Sequence, residues 1–230
     1  MVSSGVDYET SRRSVDLAGR HLGLVYSTVG VHPWNVKDAT DLEVEATERI
    51  VEERTTGVVG VGEVGMDSTY SDGRQLACQE MVFRRMLALA ERIVLPVVIH
   101  SRAAASRILE ITASYRLKST LFHWYSGPLD LLNTIVDRGY YVSEGPPVVY
   151  SPRIQEIVKS CPLSMILSET DGPVVYRGLP IGTRTTPLLI PKVVEKIAEI
   201  KGVRVDEVAE RILENFERMF SISRPVLEKR

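Results

Sequence analysis

The stretch PVVIHSR, Pro96–Arg102, has a form that recurs through the whole chain. Its apolar and β-branched residues, with Leu95 before them, predict a short strand that is buried on both faces, as in a covered parallel sheet. A histidine, His100, follows the run at once. The segment therefore predicts a buried strand that ends in a polar side chain.

Similar apolar runs occur before and after this stretch. They are Leu24–Val31, Gly57–Val61, Thr120–Phe122, Tyr140–Val142 and Met165–Leu167. Apolar residues at helical spacing fill other segments, among them Ile190–Ala198 and Val205–Phe220. Strands that alternate with helices along a chain predict a parallel sheet covered by helices.

The number of strands favours a TIM-type (β/α)8 barrel that lacks about one βα unit. With Met1–Ser4 counted as a further strand, the sequence predicts seven strands where the barrel needs eight. A helical pattern, Tyr8–His21, begins almost at once, so we expect the gap at the N-terminus. A single domain over residues 1–230 is the simplest organisation, because such barrels commonly use roughly 200 to 250 residues.

Composition narrows the class of protein. Hydrophobic residues make up 44% of the chain, charged residues 25%, and the formal net charge is −2. The chain therefore lacks the basic surface that long tracts of nucleic acid require, and any such substrate should be held locally, as an end or a single strand. No apolar run is long enough to cross a bilayer, and two cysteines without a CxxC pair favour the cytoplasm.

Polar side chains of one chemical type follow several of the predicted strands. They are the histidines His32, His100 and His123 and the acids Glu63 and Asp171. In a parallel α/β barrel the C-terminal ends of the strands meet on one face, so these side chains should converge there. Imidazoles together with carboxylates are ligands for Zn²⁺ or Mn²⁺, and carboxylates with water can hold Mg²⁺. The sequence thus predicts a metal site at the mouth of the barrel.

Three other features have weaker interpretations. Arg102 could orient a phosphate with its planar guanidinium, although a surface salt bridge is an equal alternative. The glycines of the segment Gly60–Gly65 spell the dinucleotide-binding pattern GxGxxG, but the turn-rich stretch Met66–Arg74 follows, so we expect a loop there and no dinucleotide site. Cys78 lies in a helical pattern and is expected in the core.

The motifs, taken in order, resemble those of the TatD family of metal-dependent deoxyribonucleases, within the amidohydrolase-like barrels. They are GVHPW (Gly30–Trp34), VGEVGMD (Val61–Asp67), PVVIHSR (Pro96–Arg102), FHWYSG (Phe122–Gly127), SETDGP (Ser168–Pro173) and NFERMF (Asn215–Phe220). Each motif alone is weak, but six in this order and spacing are specific. The resemblance runs from about Gly5 to Phe220.

This resemblance implies hydrolysis of phosphodiester bonds in DNA by metal-activated water. It makes Glu63, His100 and His123 the ligands of one metal position, and it places His32 and Arg102 near the scissile phosphate. It assigns Asp171 to a second metal position and makes it the acceptor of the proton from the attacking water. The cofactor would be Mg²⁺, Mn²⁺ or Zn²⁺, with up to two ions in the intact family. No membrane and no obligate protein partner are implied.

One motif of the family is absent from the sequence. The family begins with a strand that carries Asp-x-His-x-His, and this chain has only four histidines, none in that pattern. We expect about 30 further residues with this motif, the size of one such unit, to be encoded in frame before Met1. Two alternatives stay open: a hydrolase of a small ester, amide or lactone on the same site, and a non-catalytic remnant. The segment Tyr141–Ser151 matches the family loosely, which leaves substrate preference open.

Overall fold

A computed structural model describes residues 1–53, 55–69, 71–176, 178 and 184–223. It divides into two compact units, Met1–Leu121 with the segment that starts at Met219, and Phe122–Arg218. Strands and helices alternate along both. None of the described helices combines the length and the apolarity needed to cross a membrane.

The first unit contains four parallel strands that pair in chain order. They are β1 (Val2–Ser4), β2 (Tyr26–Val29), β3 (Val58–Gly65) and β4 (Val97–His100). The helices of this unit are α1 (Tyr8–Arg20), α2 (Asp41–Glu52), α3 (Gly73–Ile93) and α4 (Ala105–Thr112). Strand β5 (Thr120–Phe122) begins at the end of the unit. The backbone N–H of Val97 donates to the Ser119 carbonyl just before it, at 2.9 Å.

The second unit contains a parallel pair of strands and four helices. They are α5 (Leu129–Asp137), β6 (Tyr141–Glu144), α6 (Pro152–Ser160), β7 (Ile166–Ser168), α7 (Ile190–Lys201) and α8, which starts at Val205 and ends at Phe220. Short 3-10 turns span Pro146–Val149, Leu163–Met165 and Pro187–Leu189. The Asn215 amide donates to the carbonyls of Leu163 and Ile166 at 2.8 and 2.7 Å, which ties α8 to the start of β7.

Most of the sequence-based expectations for the fold are confirmed. The described residues contain seven strands, including one over Val2–Ser4, and they alternate with helices as in a TIM-type α/β fold. The expectation for Cys78 is wrong, because this residue is exposed on α3. Strand β3 was predicted to end at Val61, yet it continues to Gly65, so Glu63 lies inside the strand.

The extension of β3 depends on glycine. Gly62 and Gly65 have φ values of 159° and 144°, which residues with a Cβ atom rarely adopt. A Cβ on Gly65 would lie 2.0 Å from the His100 carbonyl oxygen, so only glycine lets β3 approach β4 this closely. No helix begins within the GxGxxG pattern, as predicted, but its glycines belong to the strand and not to a loop. Helix α3 begins eight residues later, at Gly73.

The core of the first unit lies between β3, β4 and α3. Val61, Val64 and Ile99 are completely buried in the strands, and Met86 and Leu87 face them from the helix with no exposed surface. Burial of each such side chain contributes roughly 1.5 to 3 kcal/mol. The strands that carry Glu63 and His100 are therefore held rigidly by apolar packing.

Candidate metal centre

Three potential metal ligands meet in the first unit. The Glu63 carboxylate lies between two imidazoles, with its Oε1 atom 3.0 Å from Nδ1 of His100 and 3.3 Å from Nε2 of His32. One ligand atom from each of the three residues lies within 4.8 Å of the other two. Donor atoms at about 2.1 Å from a cation are about 3.0 Å apart in octahedral and about 3.4 Å apart in tetrahedral coordination. The spacing of this cluster therefore suits a divalent cation.

Each of the three side chains is positioned by a different element. Glu63 lies at the register shift between Val61 and Val64, where β3 carries one extra residue relative to β4. His100 is the last residue of β4. His32 follows β2, and its own backbone N–H donates to the Val6 carbonyl at 2.8 Å. The irregularity in β3 brings the Glu63 carboxylate to the edge where His32 and His100 lie.

A second carboxylate, that of Asp67, contacts the ring nitrogen of His100 that does not face Glu63. The Oδ2 atom of Asp67 lies 3.0 Å from Nε2 of His100 and accepts a hydrogen bond from the Trp34 indole at 2.7 Å. The backbone N–H of Thr69 donates to its Oδ1 atom at 2.8 Å. Asp67 has no exposed surface, and burial alone would raise its pKa, but these hydrogen bonds outweigh burial and hold the pKa well below the usual range. Asp67 is therefore ionised and accepts the Nε2 proton of His100, and in the neutral ring this tautomer leaves Nδ1 as a lone pair on the side of Glu63.

His32 has the opposite arrangement. Its Nδ1 atom accepts a hydrogen bond from the backbone N–H of Trp34 at 3.1 Å, so the proton of the neutral ring lies on Nε2. The Nε2–H of His32 then points to Glu63, and it can serve as a donor to a carboxylate or a phosphate oxygen. Because a ring nitrogen that carries a proton cannot coordinate a cation, the geometry makes His100 the better metal ligand of the two.

The second unit contains its own histidine and carboxylate pair. Nδ1 of His123, which directly follows β5, lies 3.2 Å from Oε2 of Glu169. The Ser143 hydroxyl donates to the same oxygen at 2.5 Å and accepts from the backbone N–H of Trp124 at 3.3 Å. Glu169 thus fixes the orientation of the imidazole, in the way a carboxylate holds a metal-binding histidine.

Beside this pair, Glu144 is a buried acid at the end of β6. It has no exposed surface, and neither carboxylate oxygen has a hydrogen-bond partner among the described residues. Burial raises its pKa well above the usual value, and the negative charge of Glu169 raises it further. Burial therefore favours the neutral form of Glu144, because an isolated buried carboxylate charge is costly, while the nearby His123 acts in the opposite direction.

The remaining two predicted site residues lie in loops. Asp171 follows β7 and is half-buried, with a φ of 47°, a left-handed conformation that aspartate tolerates better than most residues. Its carbonyl accepts from the backbone N–H of Val174 at 3.0 Å. Arg102 is exposed two residues after His100, and its carbonyl accepts from the backbone N–H of Ser68 at 3.1 Å.

Sequence reasoning missed several of these residues. Asp67 stands in the quoted motif VGEVGMD and Glu169 in SETDGP, yet neither was assigned a role. Their position within two to four residues of a predicted ligand was the available signal. Glu144 gave no signal, because an acid within an apolar run reads as a residue on the solvent side of a strand.

Comparison with known proteins identifies the family of the chain. The family model "TatD related DNase" matches residues 1–221. An uncharacterized metal-dependent hydrolase of Methanocaldococcus jannaschii is 31% identical over 215 residues, which cover 94% of this chain and 82% of the relative. Human deoxyribonuclease TATDN3 is 30% identical over 224 residues, which cover 94% of this chain and 81% of the relative.

The fold is also found among solved structures. The TatD homolog YjjV of Escherichia coli superimposes with a TM-score of 0.89 and 26% identity, over 96% of this chain and 86% of that chain. A TatD family hydrolase of Entamoeba histolytica superimposes with a TM-score of 0.82 at 17% identity, over 96% of this chain and 84% of that chain, which bears on the fold alone.

Proposed function

Because the chain belongs to the TatD-related DNase family of metal-dependent hydrolases, we propose that it hydrolyses phosphodiester bonds in DNA with a divalent cation held by Glu63 and His100. The observation that carries this proposal is the 3.0 Å approach of His100 Nδ1 to the Glu63 carboxylate, with Asp67 on the far side of the ring. Two buried carboxylates flank this one imidazole, and even a doubly protonated ring balances only one of their two negative charges, so a bound cation would stabilise the arrangement.

The donor set suits the cation. An imidazole and a carboxylate accept Zn²⁺ or Mn²⁺, and the spare positions of Mg²⁺ can be filled by water. When bound, the cation polarises a phosphoryl oxygen and acidifies water near it. Asp67 contributes by holding the His100 ring in place and by keeping its Nδ1 available as a lone pair.

The other predicted residues complete the proposal. His123, oriented by Glu169, is a further metal ligand, and Asp171 is both a ligand and the acceptor of the proton from the attacking water. His32 donates its Nε2–H to a phosphate oxygen, and Arg102 takes a second phosphate oxygen with its guanidinium. These roles follow the family resemblance, and the hydrogen bonds to His32 and His123 support two of them.

The charge of the chain suggests the form of the substrate. With a net charge of −2 the surface offers little attraction to a long duplex, so we propose that the enzyme acts on DNA ends or single strands. The two cysteines are free, which agrees with action in the cytoplasm.

A nuclease assay with defined metals tests this function. The purified chain should shorten a labelled single-stranded oligonucleotide, lose this activity in excess chelator, and regain it with Mn²⁺, Mg²⁺ or Zn²⁺. The Glu63→Gln variant, purified in parallel, controls for contaminating host nucleases. Turnover of a panel of small esters, amides and lactones without any action on DNA would favour the alternative hydrolase. No metal-dependent turnover of either kind would favour a non-catalytic protein.

A further inference from the structure

A cavity of about 740 Å³ in the first unit lies beside the metal centre. Its walls come from the segment after β2, from the start of α2 and from the first turns of α3, and they include Trp34, Lys37, Arg74 and Met81. Cavities of roughly 300 to 1,000 Å³ commonly bind small ligands or parts of larger ones. Among the described residues, Trp34 is the one member of the metal centre that also lines this cavity.

Trp34 links the cavity to the metal centre. Its indole N–H donates to Asp67 at 2.7 Å, and its ring meets the rings of His32 and His100 edge-on, with centroids 4.9 and 5.8 Å away. These contacts fix the orientation of the indole, yet 51% of the residue remains exposed. A rigid, half-exposed indole offers a flat surface on which a planar ligand can stack.

The charges and apolar groups at the cavity suit a nucleotide. Lys37 and Arg74 are exposed basic residues in its lining, and the Lys37 ammonium lies 3.7 Å from the Asp38 carboxylate. Among the described lining residues the one acid is Asp41, which lies 3.7 Å from Arg85. Met81 adds apolar surface and is 54% exposed. An aromatic face with neighbouring cations is the combination that binds single-stranded nucleic acid, because the ring stacks on a base and the cations bind phosphates.

We propose that this cavity binds one unpaired nucleotide of the substrate strand next to the cleaved bond, with its base stacked on Trp34 and its phosphate held by Lys37 and Arg74. The inference rests on the proposed function, which it refines. A base within a duplex is stacked on its neighbours and cannot present its face to the indole. The cavity therefore selects single strands or frayed ends.

The test measures binding of oligonucleotides that carry one abasic position. The strands are labelled and phosphorothioate-linked, and the titration uses the Mg²⁺-loaded enzyme, because hard Mg²⁺ binds sulfur poorly and hydrolysis is therefore slow during the measurement. One abasic position near the end should raise Kd by roughly 5- to 150-fold, the equivalent of about 1 to 3 kcal/mol for one stacked base. Abasic sites at distant positions should leave Kd unchanged.

Variants assign the effect to the cavity. Trp34→Leu should raise Kd for the intact strand, and its Kd should no longer depend on where the abasic position lies. Trp34→Phe keeps an aromatic ring, so its Kd should still depend in part on that position. Met81→Glu places a negative charge at an exposed position and should also raise Kd. The double variant Lys37→Gln/Arg74→Gln should weaken binding at low salt, and Arg116→Gln/Lys118→Gln, two exposed residues elsewhere, is the charge-matched control. Thermal melting verifies that every variant is folded.

The outcomes separate this inference from the proposed function. Cleavage of DNA by the wild type, together with an unchanged Kd and an unchanged abasic profile in Trp34→Leu and Met81→Glu, would overturn the subsite alone. Absence of both DNA cleavage and DNA binding in the wild type would overturn the proposed function and the subsite with it.

Discussion

Glu63→Gln is expected to lower kcat/KM for DNA hydrolysis on the order of a thousandfold, because a metal that polarises the phosphoryl group contributes several kcal/mol and each 1.4 kcal/mol is tenfold. The substitution keeps the shape of the side chain and removes its charge. The cation would then lose a ligand whose oxygen lies 3.0 Å from the other donor, His100 Nδ1. Affinity for Mn²⁺, measured by titration calorimetry, should fall together with activity.

The matched control for this variant is Glu45→Gln. Glu45 is exposed on α2 and forms an ion pair with Arg49 one turn later, at 3.8 Å, so its loss should change stability by a few tenths of a kcal/mol and leave metal affinity unchanged. An unchanged Mn²⁺ affinity in Glu63→Gln would show that the cation does not bind at this carboxylate. The thermal midpoint of each variant verifies that the fold persists.

Asp171→Asn is expected to reduce kcat by about 10²- to 10⁴-fold with little change in the affinity for DNA. An asparagine side chain has nearly the same size, but it cannot accept the proton released by the attacking water. The residue is half-buried in the loop after β7, so the substitution should not affect packing of the core. Single-turnover kinetics with a saturating single strand measure the chemical step directly.

Asp137→Asn is the control for this second variant, since Asp137 is an exposed aspartate at the end of α5 in the same unit. A fall in DNA affinity without a fall in the single-turnover rate would place Asp171 in substrate binding. An unchanged rate and affinity would remove Asp171 from the site.

The arrangement of strands could be predicted because it depends on a simple pattern. A buried parallel strand is an uninterrupted apolar run, and a histidine or acid after it marks the strand end, as at His100 and His123. These local features are independent of distant contacts. The helical segments were equally visible, because one apolar face repeats along α8 from Val208 to Ile212 and beyond.

The course of β3 could not be predicted in the same way. Its end was assigned at Val61 because Gly62 and Gly65 normally interrupt strands. In the structure these glycines allow β3 to pass close to β4, with Gly65 paired to His100 after the register shift, and the Glu63 carboxylate lies 3.0 Å from His100 Nδ1. Such a shift depends on contact between two strands and leaves no periodic signal in either one.

The residues that hydrogen-bond to the metal ligands could not be predicted, for a related reason. Asp67 follows β3 in a stretch that reads as a turn, and only the folded chain brings it to Nε2 of His100 and to the Trp34 indole. The proton positions on His32 and His100 depend on those same contacts. The sequence can therefore suggest which residue types bind a metal, but the hydrogen bonds decide which nitrogen is available.

Anomalous diffraction from crystals grown with Mn²⁺ is the direct test for a divalent cation at Glu63 and His100. We expect an anomalous peak at about 2.0 to 2.4 Å from a Glu63 carboxylate oxygen and from Nδ1 of His100. Nε2 of His100 should remain hydrogen-bonded to Asp67, as it is at 3.0 Å here. Crystals with Mn²⁺ bound elsewhere, or with no peak between these two residues at saturating Mn²⁺, would contradict a cation site at Glu63 and His100.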